Sequence, residues 1–152
     1  MTTLDERPTP SSMESSDPPV DPRDPMPRLG QLLDPGSIEL ITAQDDSGML
    51  AATGRIEGAP VVTFVSDARV QGGAMGIEGC HVILTAYKRA LADGVPVIGL
   101  WHSGGARLRE GVASLHAVGQ VFAIMTRASG KIPQISVVLG PAAGPRPSAR
   151  GR

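Results

Sequence analysis

Cysteine is nearly absent from this sequence: Cys80 is the only one, which excludes an intramolecular disulfide and a multi-cysteine zinc site. No run approaches the roughly 18 consecutive apolar residues that a membrane helix needs. The first residues, Met1-Thr2-Thr3-Leu4-Asp5-Glu6-Arg7, have neither the basic start nor the apolar stretch of a secretory signal. Aromatic residues make up only 3%, namely Phe64, Tyr87, Trp101 and Phe122, so a core must be built from Val, Ile, Leu and Ala. Charge of one sign is also lacking. Fourteen Lys and Arg oppose 15 Asp and Glu, and a net charge of -1 gives no electrostatic case for a nucleic-acid or membrane-surface binder. Lys88 and Lys131 are the only lysines. The expectation is a soluble, cytoplasmic chain.

What is present divides unevenly. The 152 residues suit one domain. Residues 1–27 hold seven of the 14 prolines and little apolar periodicity, so 1–20 is expected to be a disordered tail rich in Pro, Ser and Asp. Residues 21–25 read as an extended lead-in, because each X-Pro pair disfavours helix. A short helix is predicted over 28–33, a strand over 37–41, and a hairpin over 48–56 and 60–65 with a three-residue turn, Glu57-Gly58-Ala59. Ile77, Cys80, Leu84, Tyr87 and Leu91 share one face of a helix ending at Asp93-Gly94. Val95 to Trp101 is nearly all apolar, the mark of a strand covered on both sides. A second helix over 108–128 carries Val112, Leu115, Phe122 and Met125 in register, and 132–139 reads as another buried strand. The order β-β-β-α-β-α-β predicts an α/β fold with one mostly parallel sheet and right-handed crossovers. After Gly144 the Pro/Arg run 145–152 cannot extend a core.

Two strings combine strand, glycine pair and helix. His102-Ser103-Gly104-Gly105-Ala106-Arg107 follows a buried strand, where open α/β sheets place ligands. Paired glycines there let a ligand approach backbone N–H groups suited to an oxyanion, although a turn serving only chain direction has the same composition. Gly72-Gly73-Ala74-Met75-Gly76 repeats the arrangement. Neither string is G-x-G-x-x-G, so a dinucleotide site gains no support. Ser103 is a candidate nucleophile with His102, His116 or His81 as base, but its flanks do not form the G-x-S-x-G elbow. Arg107 and Arg109 are candidate anion binders, against the plainer reading that one pairs with Glu110. His116 and Gln120 either face the site or lie on a solvated helix face, and Cys80 reads as a small core residue.

Three strings together resemble a known family: Gly72-Gly73-Ala74-Met75-Gly76-Ile77-Glu78-Gly79-Cys80; Trp101-His102-Ser103-Gly104-Gly105-Ala106-Arg107-Leu108-Arg109-Glu110-Gly111; and Ala128-Ser129-Gly130-Lys131-Ile132-Pro133-Gln134-Ile135-Ser136. They are similar to the carboxyltransferase β subunit of biotin-dependent acyl-CoA carboxylases, of the propionyl-/acetyl-CoA carboxylase type. The resemblance covers about residues 21–144. It implies the ClpP/crotonase-like superfamily fold of repeated ββα units, here incomplete. It also implies carboxyl transfer from carboxybiotin to the α carbon of a short acyl-CoA in lipid synthesis, with no metal bound by this chain. Gly104 and Gly105 would supply backbone oxyanion donors, and Gly72, Gly73, Ser103, Ala106, Arg107 and Gly144 would line the acyl-CoA. The implied partners are a biotin carboxylase/biotin carrier α subunit and further β subunits.

The family continues after G-P-A-A-G with a second glycine, where this chain has Pro145 and loses a backbone donor. A truncated or frameshifted product, silent by itself, is therefore expected. The other readings are a hydratase or hydrolase of the same superfamily, and a non-catalytic fragment that binds full-length subunits.

Overall fold

A computed structural model describes residues 20–143. The expected tail, apart from Val20, lies outside the described residues, as do Gly144 and the Pro/Arg run 145–152. Five strands form one sheet in chain order: β1 (Glu39–Leu40), β2 (Met49–Ile56), β3 (Ala59–Ser66), β4 (Val97–Gly104) and β5 (Gln134–Ala143). The β1–β2 and β2–β3 pairs are antiparallel, and β3–β4 and β4–β5 are parallel. The sheet is thus mixed rather than mostly parallel, because a tight turn between β2 and β3 permits only antiparallel pairing. That turn has two residues, not three: Ile56 pairs with Ala59, and Glu57 and Gly58 take φ of 50° and 80°. Positive φ at both central positions matches the right-handed twist of the strands. Asp34 makes it affordable for a glutamate, since its carboxylate accepts from the N–H groups of Glu57 (3.0 Å) and Gly58 (2.8 Å).

Helix α1 (Pro25–Leu32) starts three residues before the predicted Arg28. Asp24 caps it by accepting from the Met26 N–H, and Pro25 occupies the first turn, where its missing N–H costs nothing. Of the lead-in prolines, Pro25 therefore opens the helix instead of delaying it, and Pro22 lies in the turn before it. Leu29 and Leu33 pack on one sheet face against Leu50, Val61, Val65, Ile98 and Leu100. Of the crossover helices, α2 (Ile77–Asp93) packs on the other face, over Met49, Ala51, Val62, Phe64 and Trp101, and α3 (Gly111–Ala128) packs against α2. Phe64 meets the Trp101 ring edge-on, at 5.0 Å between centroids and 83°.

In α2 the buried face runs through Cys80, Ile83, Tyr87 and Ala90, while Ile77, Leu84 and Leu91 lie half-buried at its margin. Small Gly79, Ala86 and Ala90 bring that face close to the sheet. In α3 the expected apolar face is the wrong one. Val112 is 82% exposed, Leu115 64%, Phe122 is also exposed, and Met125 is only partly covered; Ser114, Ala117, Val118, Val121, Ile124 and Ala128 are buried instead. The helix is apolar on two sides, and the side carrying Ala117, Val118, Val121 and Ile124 is the buried one. Strand β4 is covered on both faces through Trp101, as predicted. Strand β5 is not: it is a sheet edge with Ile135 49% exposed and Val137, Val138 and Leu139 in solvent.

Candidate functional site

Strand β4 runs further than its apolar stretch, through His102, Ser103 and Gly104. Its register with β5 slips there: Trp101 pairs with Val138, but Ser103 pairs with Ala142 and Gly104 with Ala143. Residues 139–141 of β5 therefore bulge opposite His102, and the two strand ends lie side by side. Gly104 is exposed at this end. Gly105, just beyond it, is buried at φ 95°. Its N–H donates to Ser103 Oγ at 3.2 Å, and its carbonyl accepts from the Met75 N–H at 2.7 Å. Arg107 N–H in turn donates to the Met75 carbonyl at 2.9 Å, so Met75 and Ala106 form a one-residue parallel bridge.

The two glycine strings thus meet. Residues Gln71–Gly73 form a 3-10 turn seated on the end of β4. A methyl group at Gly73 would lie 1.9 Å from the His102 carbonyl oxygen, and one at Gly104 would lie 2.9 Å from that of Gly72. Backbone touches backbone here, which only glycine permits. Gly72 and Gly104 face solvent, whereas Gly73 and Gly105 are buried.

Arg107 and Glu110 tie this contact to its surroundings. The Arg107 guanidinium donates to the carbonyls of Ala74 (3.1 Å), Asp46 (3.0 Å) and Ser47 (2.8 Å), and its Nη1 lies 3.7 Å from Glu110 Oε1. Of the two candidate arginines, it is Arg107 that faces Glu110; Arg109 is exposed. Glu110 Oε2 accepts from the Ile77 N–H at 2.6 Å. Helix α2 has Gly76 at its cap and no capping bond from that residue, so Glu110 satisfies a first-turn donor from 33 residues away. The sequence reading missed this role. A bare glycine cap before a strongly apolar helix was the available signal.

Burial pushes the Cys80 thiol up to about 11, with the Glu110 charge adding to it, so Cys80 is an inert core residue as predicted. Ser103 is buried. Of its candidate bases, His81 is exposed on α2 at 3.8 Å from Glu78, and His116 is exposed on α3 beside Gln120 at 3.2 Å. His102 Nδ1 is buried over Gly140 with no hydrogen-bond partner among the described residues. No group of three or more His, Cys, Asp and Glu among the described residues is placed to hold a metal ion. No helix among them is long and apolar enough to cross a membrane. A groove of about 520 Å³ lies between α1 and the β4–β5 edge, lined by Arg28, Leu32, Leu100, Val137 and Leu139, and includes neither glycine string.

The carboxyl transferase domain family matches residues 36–146. The chain belongs to this family. It is 58% identical, over 82% of its length, to the biotin-dependent acetyl-/propionyl-coenzyme A carboxylase beta6 subunit of Mycobacterium tuberculosis, and equally so to a propionyl-CoA carboxylase beta chain of Rhodococcus erythropolis. It spans 26% of the length of each. Among solved structures, transcarboxylase 12S with methylmalonyl-coenzyme A bound aligns at TM-score 0.72 and 30% identity, over 76% of this chain and 25% of that one. The family and the crotonase-like carboxyltransferase fold expected from the three strings are both borne out.

Proposed function

We propose that residues 21–144 act in carboxyl transfer to the α carbon of a short-chain acyl-CoA such as acetyl- or propionyl-CoA. The observation that carries this reading is the joined pair of glycine strings: exposed backbone at Gly72 and Gly104, set at the carboxyl ends of parallel strands. Carboxybiotin, carried on an α subunit, would supply the carboxyl group, and the biotin anion left behind would supply the base for the α proton. This chain's task is orientation and charge stabilisation. The N–H groups of Gly104 and Gly105 hold the negative charge that develops on the thioester oxygen, each donor contributing about 3 kcal/mol. The Gly105 N–H is engaged by Ser103 Oγ at 3.2 Å, a long bond that a charged oxygen replaces with a shorter one. Gly72 and Ala106 line the acyl-CoA, the buried Gly73 and Ser103 and the Arg107 guanidinium serve it by fixing the backbone that lines it, and the role expected for Gly144 lies outside the described residues. The same reading places the reaction in the cytoplasm and gives the exposed apolar side chains of α3 and β5 to further carboxyltransferase protein as cover.

Proline at position 105 would delete the donor, but φ 95° is closed to its ring. The clean test replaces the Gly105 amide by an ester in a complete subunit containing this segment. With α subunit, ATP, bicarbonate and propionyl-CoA, carboxylation should fall about 100-fold, the scale of one lost oxyanion donor. A rate within about twofold of the parent overturns the assignment.

A further inference from the structure

We infer that Glu110 is a positioning residue that locks the 72–76 segment onto the 104–107 segment and thereby sets the aim of the Gly105 peptide. The inference rests on the proposed oxyanion role of Gly104 and Gly105. Four features converge on it. The start of α2 has no capping side chain of its own, and Glu110 Oε2 takes the Ile77 N–H at 2.6 Å, a charge-assisted bond. The space for it is reserved: a methyl group at Gly76 would lie 2.4 Å from Glu110 Oε1 and 2.7 Å from Arg107 Cδ. The second carboxylate oxygen faces Arg107, whose other donors hold Ala74 and residues 46–47. Both side chains are largely sheltered, 11% exposed for Arg107 and 28% for Glu110, so solvent screens the pair less than a surface bridge.

The connection to the site is short. Glu110 holds Ile77; two residues earlier, Met75 donates to the Gly105 carbonyl and accepts from the Arg107 N–H. Ser114 Oγ reaches the same Met75 carbonyl at 3.5 Å. Moving the start of α2 therefore moves the strip of backbone that fixes one flank of Gly105. An error of about 1 Å in a reacting group's surroundings is enough to cost about 100-fold in rate. Glu110 touches no reacting atom in this account. It acts through Ile77, Met75 and Arg107.

The test compares Glu110→Ala with Glu110→Gln in carboxylase assembled with a complete β subunit containing this segment. The Gln amide oxygen still accepts from the Ile77 N–H, whereas Ala leaves that donor open. Glu110→Ala should lower kcat about tenfold or more with propionyl-CoA KM little changed, and Glu110→Gln should recover most of the loss. Hydrogen exchange on the same variants separates local loosening from unfolding. In Glu110→Ala the amides of Met75, Ile77 and Arg107 should exchange faster while those of Ile83 and Tyr87 stay protected. An unchanged kcat in Glu110→Ala, equal losses in both variants, or loss of protection throughout α2 overturns the inference. The Gly105 ester distinguishes the two readings. An ester that does no harm rejects the oxyanion role, and Glu110 is then judged by amide exchange, which does not depend on it.

Discussion

Helices α2 and α3 pack against each other and are nearly equal in length, yet they use their apolar residues differently. In α2 the large apolar side chains are buried or half-buried against β2 and β3. In α3 one apolar side turns inward, and Val112, Leu115 and Phe122 stand in solvent, as do the apolar side chains of β5. An apolar stripe is thus not a record of what one chain covers. It records what must be covered somewhere, and in α3 the inward contacts are made by Ala117, Val118, Val121 and Ile124, leaving a second stripe over.

The sharpest contrast is truncation on each helix. Ile83→Ala, at a fully buried α2 position, should cost about 3 kcal/mol in a denaturant melt, whereas Leu115→Ala should stay within about 0.5 kcal/mol. Equal losses would abolish the distinction. Close behind comes the glycine contact on the α2 side. Gly73→Ala drives a methyl group into the His102 carbonyl and should cost about 2–3 kcal/mol, against about 1 kcal/mol for Gly72→Ala, where φ is also positive but the space is open.

A smaller effect tests what anchors α1 to the covered half. The Arg69 guanidinium donates to both Asp67 oxygens and also reaches Asp24, the α1 cap. This bond to Arg69 holds the Asp67 carboxyl below its usual range, against the opposing effect of burial. Because the folded value is the lower one, the stabilisation is complete above the unfolded value of about 3.9 and fades as pH falls through the folded value. Asp67→Asn should flatten the acid side of the stability–pH profile and cost about 1–2 kcal/mol at neutral pH. The smallest change concerns the uncovered helix. Leu115→Glu with Phe122→Glu should leave the melt within about 0.5 kcal/mol while reducing self-association in sedimentation.

Local features were legible in the sequence. The hairpin, the end of α2 at Asp93-Gly94, the doubly covered β4 and both glycine strings all rest on residues close together in the chain. What escaped depends on distant partners. Two-sided apolarity in α3 hid which side faces α2, and the apolar run of β5 could not show that nothing lies beyond it among the described residues. Pro25 reads as a helix breaker until Asp24 is seen to cap the turn it opens. The site followed the same division. Each glycine pair was visible, but their mutual contact, and the Glu110 bond that secures it, join backbone segments about 30 residues apart and leave no trace except the glycines themselves.

The two-residue turn at Glu57 and Gly58 also bears on the order in which the molecule assembles. A hairpin closed by so short a turn, with both of its N–H groups taken by Asp34, forms on the scale of about 1–10 μs. The Arg107 bonds to Asp46 and Ser47 instead close loops of 61 and 60 residues and carry a larger entropic cost. On loop length alone the hairpin is expected to form first, and the Arg107 links to close after it. Destabilising β2 or β3 should slow folding, whereas Arg107→Ala should mainly hasten unfolding. The hairpin then precedes the Arg107 links, and on the way out those links are lost first.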